Sequence, residues 1–346
     1  MHRSRPWFIR LVAVCLLLAL AGSAALCQGP PPPFGAEAFG IPSRFGSAAP
    51  TSTRQLALGA VVGCVDDVQF ANPAFAAVRT VTDASVRLNR TDFDAGPRIT
   101  SVHLHLARPL RVGRSGFQVS WLDLNSSDGD MILPGPTPIP VKVDMSENVL
   151  VVDYGRRVGA KSTAGLSVLG FQNVDFSMTP PVGPALIALD AKADYGGRLG
   201  AAYEYQPGDY LGILYNFAQH TVDANGLFLG GVPSSPVYHD DLLIVGMSYH
   251  HPCDRFMAVG EFHHGGIKRG DFLAVTNAWH VGAEYLVTPG LAVRVGKSDG
   301  SLTYGAGYAA RRWHLDYAHI QNWNGGAVGQ LFGGSDTDSL QATLEW

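Results

Sequence analysis

Beyond its first 27 residues the sequence has no apolar run near the roughly twenty residues that a membrane-crossing helix requires. A helical membrane protein is thereby excluded. A membrane β-barrel is not, because each of its strands needs only about nine to eleven residues with every second one apolar. Cysteine is scarce: of the four, Cys15 and Cys27 lie in or beside the N-terminal apolar stretch, and Cys64 with Cys253 makes no disulfide scaffold. Whether those two pair stays open. Charged residues are few, at 16% against about 25% in an ordinary soluble domain. No segment gathers lysine and arginine, which excludes a nucleic-acid partner. Gly-x-Ser-x-Gly, His-Glu-x-x-His and P-loop patterns are missing, so neither an enzyme nor a cofactor is expected. Histidine pairs exist, at His103 and His105, His250 and His251, His263 and His264, and His314 and His319. Such spacing does not assemble a ligand set with a fixed second shell, and no metal is expected.

What is present begins with an export signal. Arg3, Arg5 and Arg10 precede the apolar residues 11–20, and Gly22, Ser23, Ala24 and Ala25 follow, with cleavage fitting after Ala25 or Cys27. Residues 1–27 carry three arginines and no acids, so the remainder holds 22 basic against 29 acidic residues. Residues 28–50, with Pro30 to Pro33, Pro42 and Pro50, read as an extended leader without a core. Residues 51–80 differ from all that follows. Leu56, Leu58, Val61, Val62, Val65, Val68 and Phe70 do not keep period two, which predicts a compact apolar segment with one short helical turn and a turn at Asn72-Pro73. A first strand with an irregular end is the alternative.

Residues 81–346 have the grammar of antiparallel strands. Val102, Leu104 and Leu106 share a face, as do Phe117, Val119 and Trp121, Leu199, Ala201, Tyr203 and Tyr205, and Leu211, Ile213, Tyr215 and Phe217. Turn signals such as Pro207-Gly208-Asp209 and Pro289-Gly290 separate them, and longer loops are expected at 125–145, 175–188, 222–240 and 323–337. The count is about fourteen strands, within twelve to fourteen. The last alternates Leu340, Ala342, Leu344 and Trp346 with Gln341, Thr343 and Glu345. A strand ending on an aromatic residue suits the seam that closes a barrel, its first face toward lipid. The competing architecture is a secreted soluble β-sandwich with a binding role. Against it, the less apolar face is small rather than polar, as at Ala202, Ala274, Gly305 and Gly307. Isolated charges at Glu204, Glu261, Glu284, Arg294 and Asp316 must face the interior of a barrel, because a charge toward lipid costs a few kcal/mol. Tyr205, Tyr210, Trp279, Tyr285, Trp313, Trp323 and Trp346 are candidates for interfacial belts.

Two stretches resemble one family. Residues 54–77, with Leu58-Gly59, Asp66-Asp67 and Asn72-Pro73-Ala74, are similar to the N-terminal signature of the long-chain fatty-acid transporter superfamily of outer-membrane barrels and its PorV-type relative, with Phe75 where the family usually has glycine. Residues 291–319 resemble the closing hairpins of the same group. The resemblance implies an all-β, transmembrane antiparallel barrel of about fourteen strands in the cell outer membrane, with residues 51–80 folded inward as a plug. It also implies passive transport of hydrophobic small molecules past Leu58, Val62, Asp66, Asp67, Asn72 and Pro73 and out of a break in the wall. Asp66 and Asp67 would cap turns or hold the plug against Arg294 or another interior cation. The partners implied are outer-membrane lipid and a hydrophobic solute. The PorV-type alternative implies a non-transporting barrel that serves an exported or secretion partner, or a structural role.

Overall fold

The computed structural model describes residues 52–65, 67, 71–94, 97–127, 129–133, 139–225, 237–251, 255–269, 272–298, 301–322 and 335–346. The expected signal and leader, together with Asp66, Cys253 and Trp323, lie outside the described residues. A short helix α1 (Thr53–Ala57) and a 3-10 helix (Pro73–Ala77) precede fifteen strands. These are β1 (Asp83–Phe93), β2 (Arg98–Arg111), β3 (Ser115–Ser127), β4 (Asp130–Leu133), β5 (Ile139–Arg157), β6 (Ser162–Thr179), β7 (Ile187–Gln206), β8 (Asp209–Asn225), β9 (Val237–His250), β10 (Phe256–Arg269), β11 (Phe272–Thr288), β12 (Leu291–Ser298), β13 (Ser301–Ala310), β14 (Trp313–Gln321) and β15 (Ser335–Glu345).

Each strand runs antiparallel to its neighbour. β3 passes over the short β4 to pair with β5, and β1 pairs with β15, so 14 strands form a closed barrel with β4 as a flap on β5. Closure excludes the sandwich. At the seam Ala84 faces Leu344 and Leu88 faces Leu340. Thr82 and Trp346 exchange both backbone hydrogen bonds, at 3.1 and 2.9 Å. The barrel end where β1 begins and β15 finishes has tight connections, including 207–208, 289–290 and 311–312. Gly208 takes φ 79° in the first of these, a conformation that suits glycine. We call this the near end and its opposite the far end.

The strands exceed expectation at the far end. Residues assigned to long loops instead extend β5 back to Ile139, β6 to Thr179, β7 back to Ile187, β8 to Asn225 and β9 back to Val237. The reason is a change in which face is apolar. Toward the near end the outward residues are apolar and exposed, as with Leu88, Leu104, Val152, Leu166, Ile213, Val295 and Leu315, and the inward ones are small or polar. Toward the far end of β5–β8 the outward positions carry Lys142, Asp144, Asp175, Lys192 and Asp223, all exposed. The inward positions there hold buried Val141, Val143, Met145, Val174, Phe176, Met178, Leu189 and Val222. Along β5 period two holds from one end to the other, and what inverts is the polarity of its two faces. A search for strands with apolar outer faces therefore stops too early.

Candidate functional site

Residues 52–65 and 71–77 lie inside the barrel and are buried almost throughout. Ser52 caps α1, its hydroxyl accepting from Gln55 N at 3.0 Å, and donates to Asp67. Asn72 caps the 3-10 helix, accepting from Ala74 N at 3.1 Å, with Pro73 at the first helical position where its missing N–H costs nothing. The Asn72 amide also donates to the carbonyls of Gly63 (2.8 Å), Ala201 (3.3 Å) and Ile213 (3.2 Å), which ties both halves of the segment to β7 and β8. Phe75 packs edge-on against Tyr210, ring centroids 5.1 Å apart. Tyr210 is therefore an interior residue and does not belong to an outer aromatic belt. Trp279, Tyr285, Trp313 and Trp346 do face outward and are exposed.

Two charged clusters hold this plug. In the first, Glu261 on β10 accepts the backbone N–H groups of Val62 (2.8 Å), Gly63 (2.6 Å) and Cys64 (2.9 Å). Three successive amides thus converge on one buried carboxylate. His263 Nε2 lies 3.1 Å from the same carboxylate and its ring stacks on His280 with centroids 3.9 Å apart, while His280 Nδ1 lies 2.8 Å from Gly59 O. Burial first, and then the adjacent Glu261, push the Cys64 thiol well above its ordinary value, so it stays protonated and inert.

In the second cluster Arg54 grips Glu284 with two bonds of 3.0 and 2.8 Å and reaches Asp67 at 3.9 Å. Arg294 contacts Glu284 at 2.5 Å and Asp316 at 2.6 Å. Of the roles expected for Asp67, turn capping or a contact with Arg294 or another interior cation, the structure has it 3.9 Å from Arg54 of the plug itself, and Arg54 links through Glu284 to Arg294. A cavity of about 300 Å³ at the near end is lined by Arg54, Asp67, Glu284, Arg294, His314 and Asp316. Glu204 stands apart from both clusters, half-buried beside the β7–β8 turn, where it accepts from Gly208 N at 3.2 Å. Among the described residues no group of three or more histidine, cysteine or acidic side chains is arranged to hold a metal ion.

The plug runs close to the wall because the wall there is glycine. A methyl group at Gly212 would meet the backbone of Gly63 and Cys64, and one at Gly282 or Gly296 would meet the backbone at Leu58. Leu58 and Val62 are fully buried, in separate apolar clusters with Met257 and Val259 and with Leu214 and Ile244.

One place in the wall is not continuous. β6 and β7 pair from Ser162 and Tyr203 to Val168 and Gly197, and again from Asn173 and Lys192 to Met178 and Ile187. Opposite residues 169–172 and 193–196 the ladder between them is interrupted. Register also shifts on both outer flanks, at Leu150/Val151 against β6 and at Ala193/Tyr195 on β7. Bulges of this kind bend a strand and re-aim its side chains. Asp194 is turned outward, accepting from Gln219 Nε2 (2.9 Å) and Thr221 Oγ1 (3.0 Å), and Phe171 and Tyr195 are exposed beside it. On the inner side the lower lip meets the plug, where Arg198 donates to Ala71 O at 3.2 Å. Arg54, Arg198 and the interruption itself went unnoticed in the sequence. The available signal was the parity slip at Gly170-Phe171 and the Gly196-Gly197 pair in mid-strand.

No protein-family model matches the sequence, and no curated protein does. Solved structures do match. The Ralstonia pickettii toluene transporter TbuX aligns over 86% of this chain and 97% of its own at 15% identity, with a TM-score of 0.53. The Pseudomonas putida toluene transporter TodX aligns over 87% and 97% at 13% identity and a TM-score of 0.56. A Pseudomonas aeruginosa FadL homologue aligns over 85% and 98% at 14% identity and 0.54. At these identities the likeness is one of fold, and it spans nearly the whole of each barrel.

Proposed function

We propose that the chain is an outer-membrane barrel through which small hydrophobic molecules pass passively, entering at the far end and leaving sideways between β6 and β7. The observation that carries this is the interrupted ladder at residues 169–172 and 193–196 beside the plug. Several features support the reading. The belt of outward apolar residues, with Leu340, Ala342, Leu344 and Trp346 on the seam, suits lipid. The twenty residues of β7 are about twice what a crossing needs, which lets the far half stand clear of the bilayer with polar residues outside. Its apolar inner face suits a hydrophobic solute. The plug, with Leu58, Val62, Asp67, Asn72 and Pro73 at or beside its wall contacts, closes the straight route and leaves the side route. Two of the structural neighbours are toluene transporters by description, which agrees with a small apolar cargo. An exported chain with residues 1–27 removed and residues 28–50 as leader completes the proposal.

The test is entry of a hydrophobic fluorescent probe into Gram-negative cells that lack their own hydrophobic-solute channels. Expression of the barrel is expected to speed entry several-fold without changing entry of a polar probe of similar size. Entry equal to that of cells without the barrel overturns the proposal.

A second reading, the non-transporting barrel that serves an exported partner, has one observation in its favour. A hollow of about 590 Å³ with Asp144, Asp175, Asp190 and Asp223 along it lies at the far end of β5–β8. Cells showing no probe entry while a secreted protein co-purifies with the barrel would favour it.

A further inference from the structure

Glu147 lies on β5 facing the interior and is fully buried. Its strand neighbours on the same face are Met145 and Val149, and its partners across the sheet are Leu124 on β3 and Val174 on β6. It is thus a single carboxyl group in an apolar patch of the far half. Oε1 accepts from Gln172 Nε2 at 2.7 Å. Oε2 has no hydrogen-bond partner among the described residues. Gln172 belongs to the interrupted stretch of β6, and its Oε1 lies 3.1 Å from His220 Nε2, whose Nδ1 is 3.2 Å from Asp240. A polar chain from Glu147 through Gln172 and His220 to Asp240 therefore passes behind the wall interruption, and its Glu147 end is unsatisfied.

Leaving a buried carboxyl oxygen without a partner is costly, and folded proteins retain such groups chiefly where something else completes them. The surroundings state what that must be. The body of the ligand has to be apolar, to match Leu124, Met145, Val149 and Val174. Its polar group has to satisfy one carboxyl oxygen in either protonation state, accepting a proton bond from the acid or donating one to the carboxylate. A hydroxyl does both. We propose that Glu147 makes the inner side of the β6–β7 opening a binding site for the hydroxyl of a hydrophobic alcohol or phenol, in preference to a bare hydrocarbon. This rests on the transport reading above and narrows its cargo.

The probe pair is 1-naphthol and naphthalene, measured for equilibrium binding to the purified folded barrel against detergent alone and for entry into cells carrying the barrel. The wild-type protein is expected to bind 1-naphthol about three- to tenfold tighter than naphthalene, the margin of one hydrogen bond. Glu147→Leu is expected to abolish that preference, and Glu147→Gln to retain part of it. Heat-modifiable migration on a gel checks that each variant is folded. Equal binding of the two probes by the wild type, or a preference that survives in Glu147→Leu, overturns the inference while naphthalene entry still stands for the path. Naphthalene entry no faster than in cells without the barrel removes the path and the inference with it.

Discussion

Glu261→Ala is expected to free the plug from the wall while leaving the strand ladder closed. The carboxylate collects the amides of Val62, Gly63 and Cys64, all buried, within 2.9 Å. Its removal leaves three buried donors without their acceptor, each costing about 1–3 kcal/mol. A total near 3 kcal/mol or above raises the open population of the segment about a hundredfold or more. Hydrogen exchange at those three amides should quicken accordingly, and protease should cut the plug at Arg54 or Arg79. Barrel strands on either side, whose hydrogen bonds are independent of Glu261, should keep their protection. Glu261→Gln retains one acceptor oxygen and should fall between. Unchanged exchange at Val62, Gly63 and Cys64 in Glu261→Ala would show that Asn72 and the Arg54–Glu284 pair suffice to hold the plug.

Gly212→Ala should disturb the same segment by addition instead of removal. The new methyl would fall on the Gly63 carbonyl and within 2.9 Å of Cys64 Cα. Backbone held on its other side by Glu261 cannot retreat without losing those hydrogen bonds. Overpacking of this kind costs about 1–3 kcal/mol, so plug protection should fall and Asn72 should lose contact with Ile213 and Ala201. Gly260→Ala is the control. Its methyl would meet only Val281, at 3.9 Å, and both plug exchange and folding should match the wild type. Equal effects from the two substitutions would mean that glycine is needed for strand conformation and not for close approach.

Much of this was open to reading in the sequence. Alternation through Leu340, Ala342, Leu344 and Trp346 marked a strand with two unlike faces, and the structure pairs it with β1. Asn72-Pro73-Ala74 marked a break in chain direction, and it became a capped 3-10 helix. Period two tells which residues share a face, but not which face is inside. For that reason the alternation of apolar outer faces does not reach the far ends of β5–β8, residues 139–145, 175–179, 187–188 and 222–225, which are charged without and apolar within. Pairings between distant residues were hidden for a different cause: Arg54 and Glu284 are 230 positions apart, and only the strand register brings Glu284, Arg294 and Asp316 onto adjoining positions. Gly305 and Gly307 read as smallness in general. In the fold, Gly307 leaves room for the Arg294 guanidinium and Gly305 for Ala57 of α1.

Passage between β6 and β7 is tested most directly by tying the opening shut. A side chain built at Gly196 would meet Leu169 across the interruption, so Leu169→Cys with Gly196→Cys, in a background with Cys64 and Cys253 replaced, places two thiols on opposite lips. Entry of a hydrophobic probe into cells carrying this variant should fall to the level of cells without the barrel on oxidation and recover on reduction, while entry through each single-cysteine variant should not respond to oxidation. Undiminished entry through the oxidised, cross-linked barrel would contradict a lateral route.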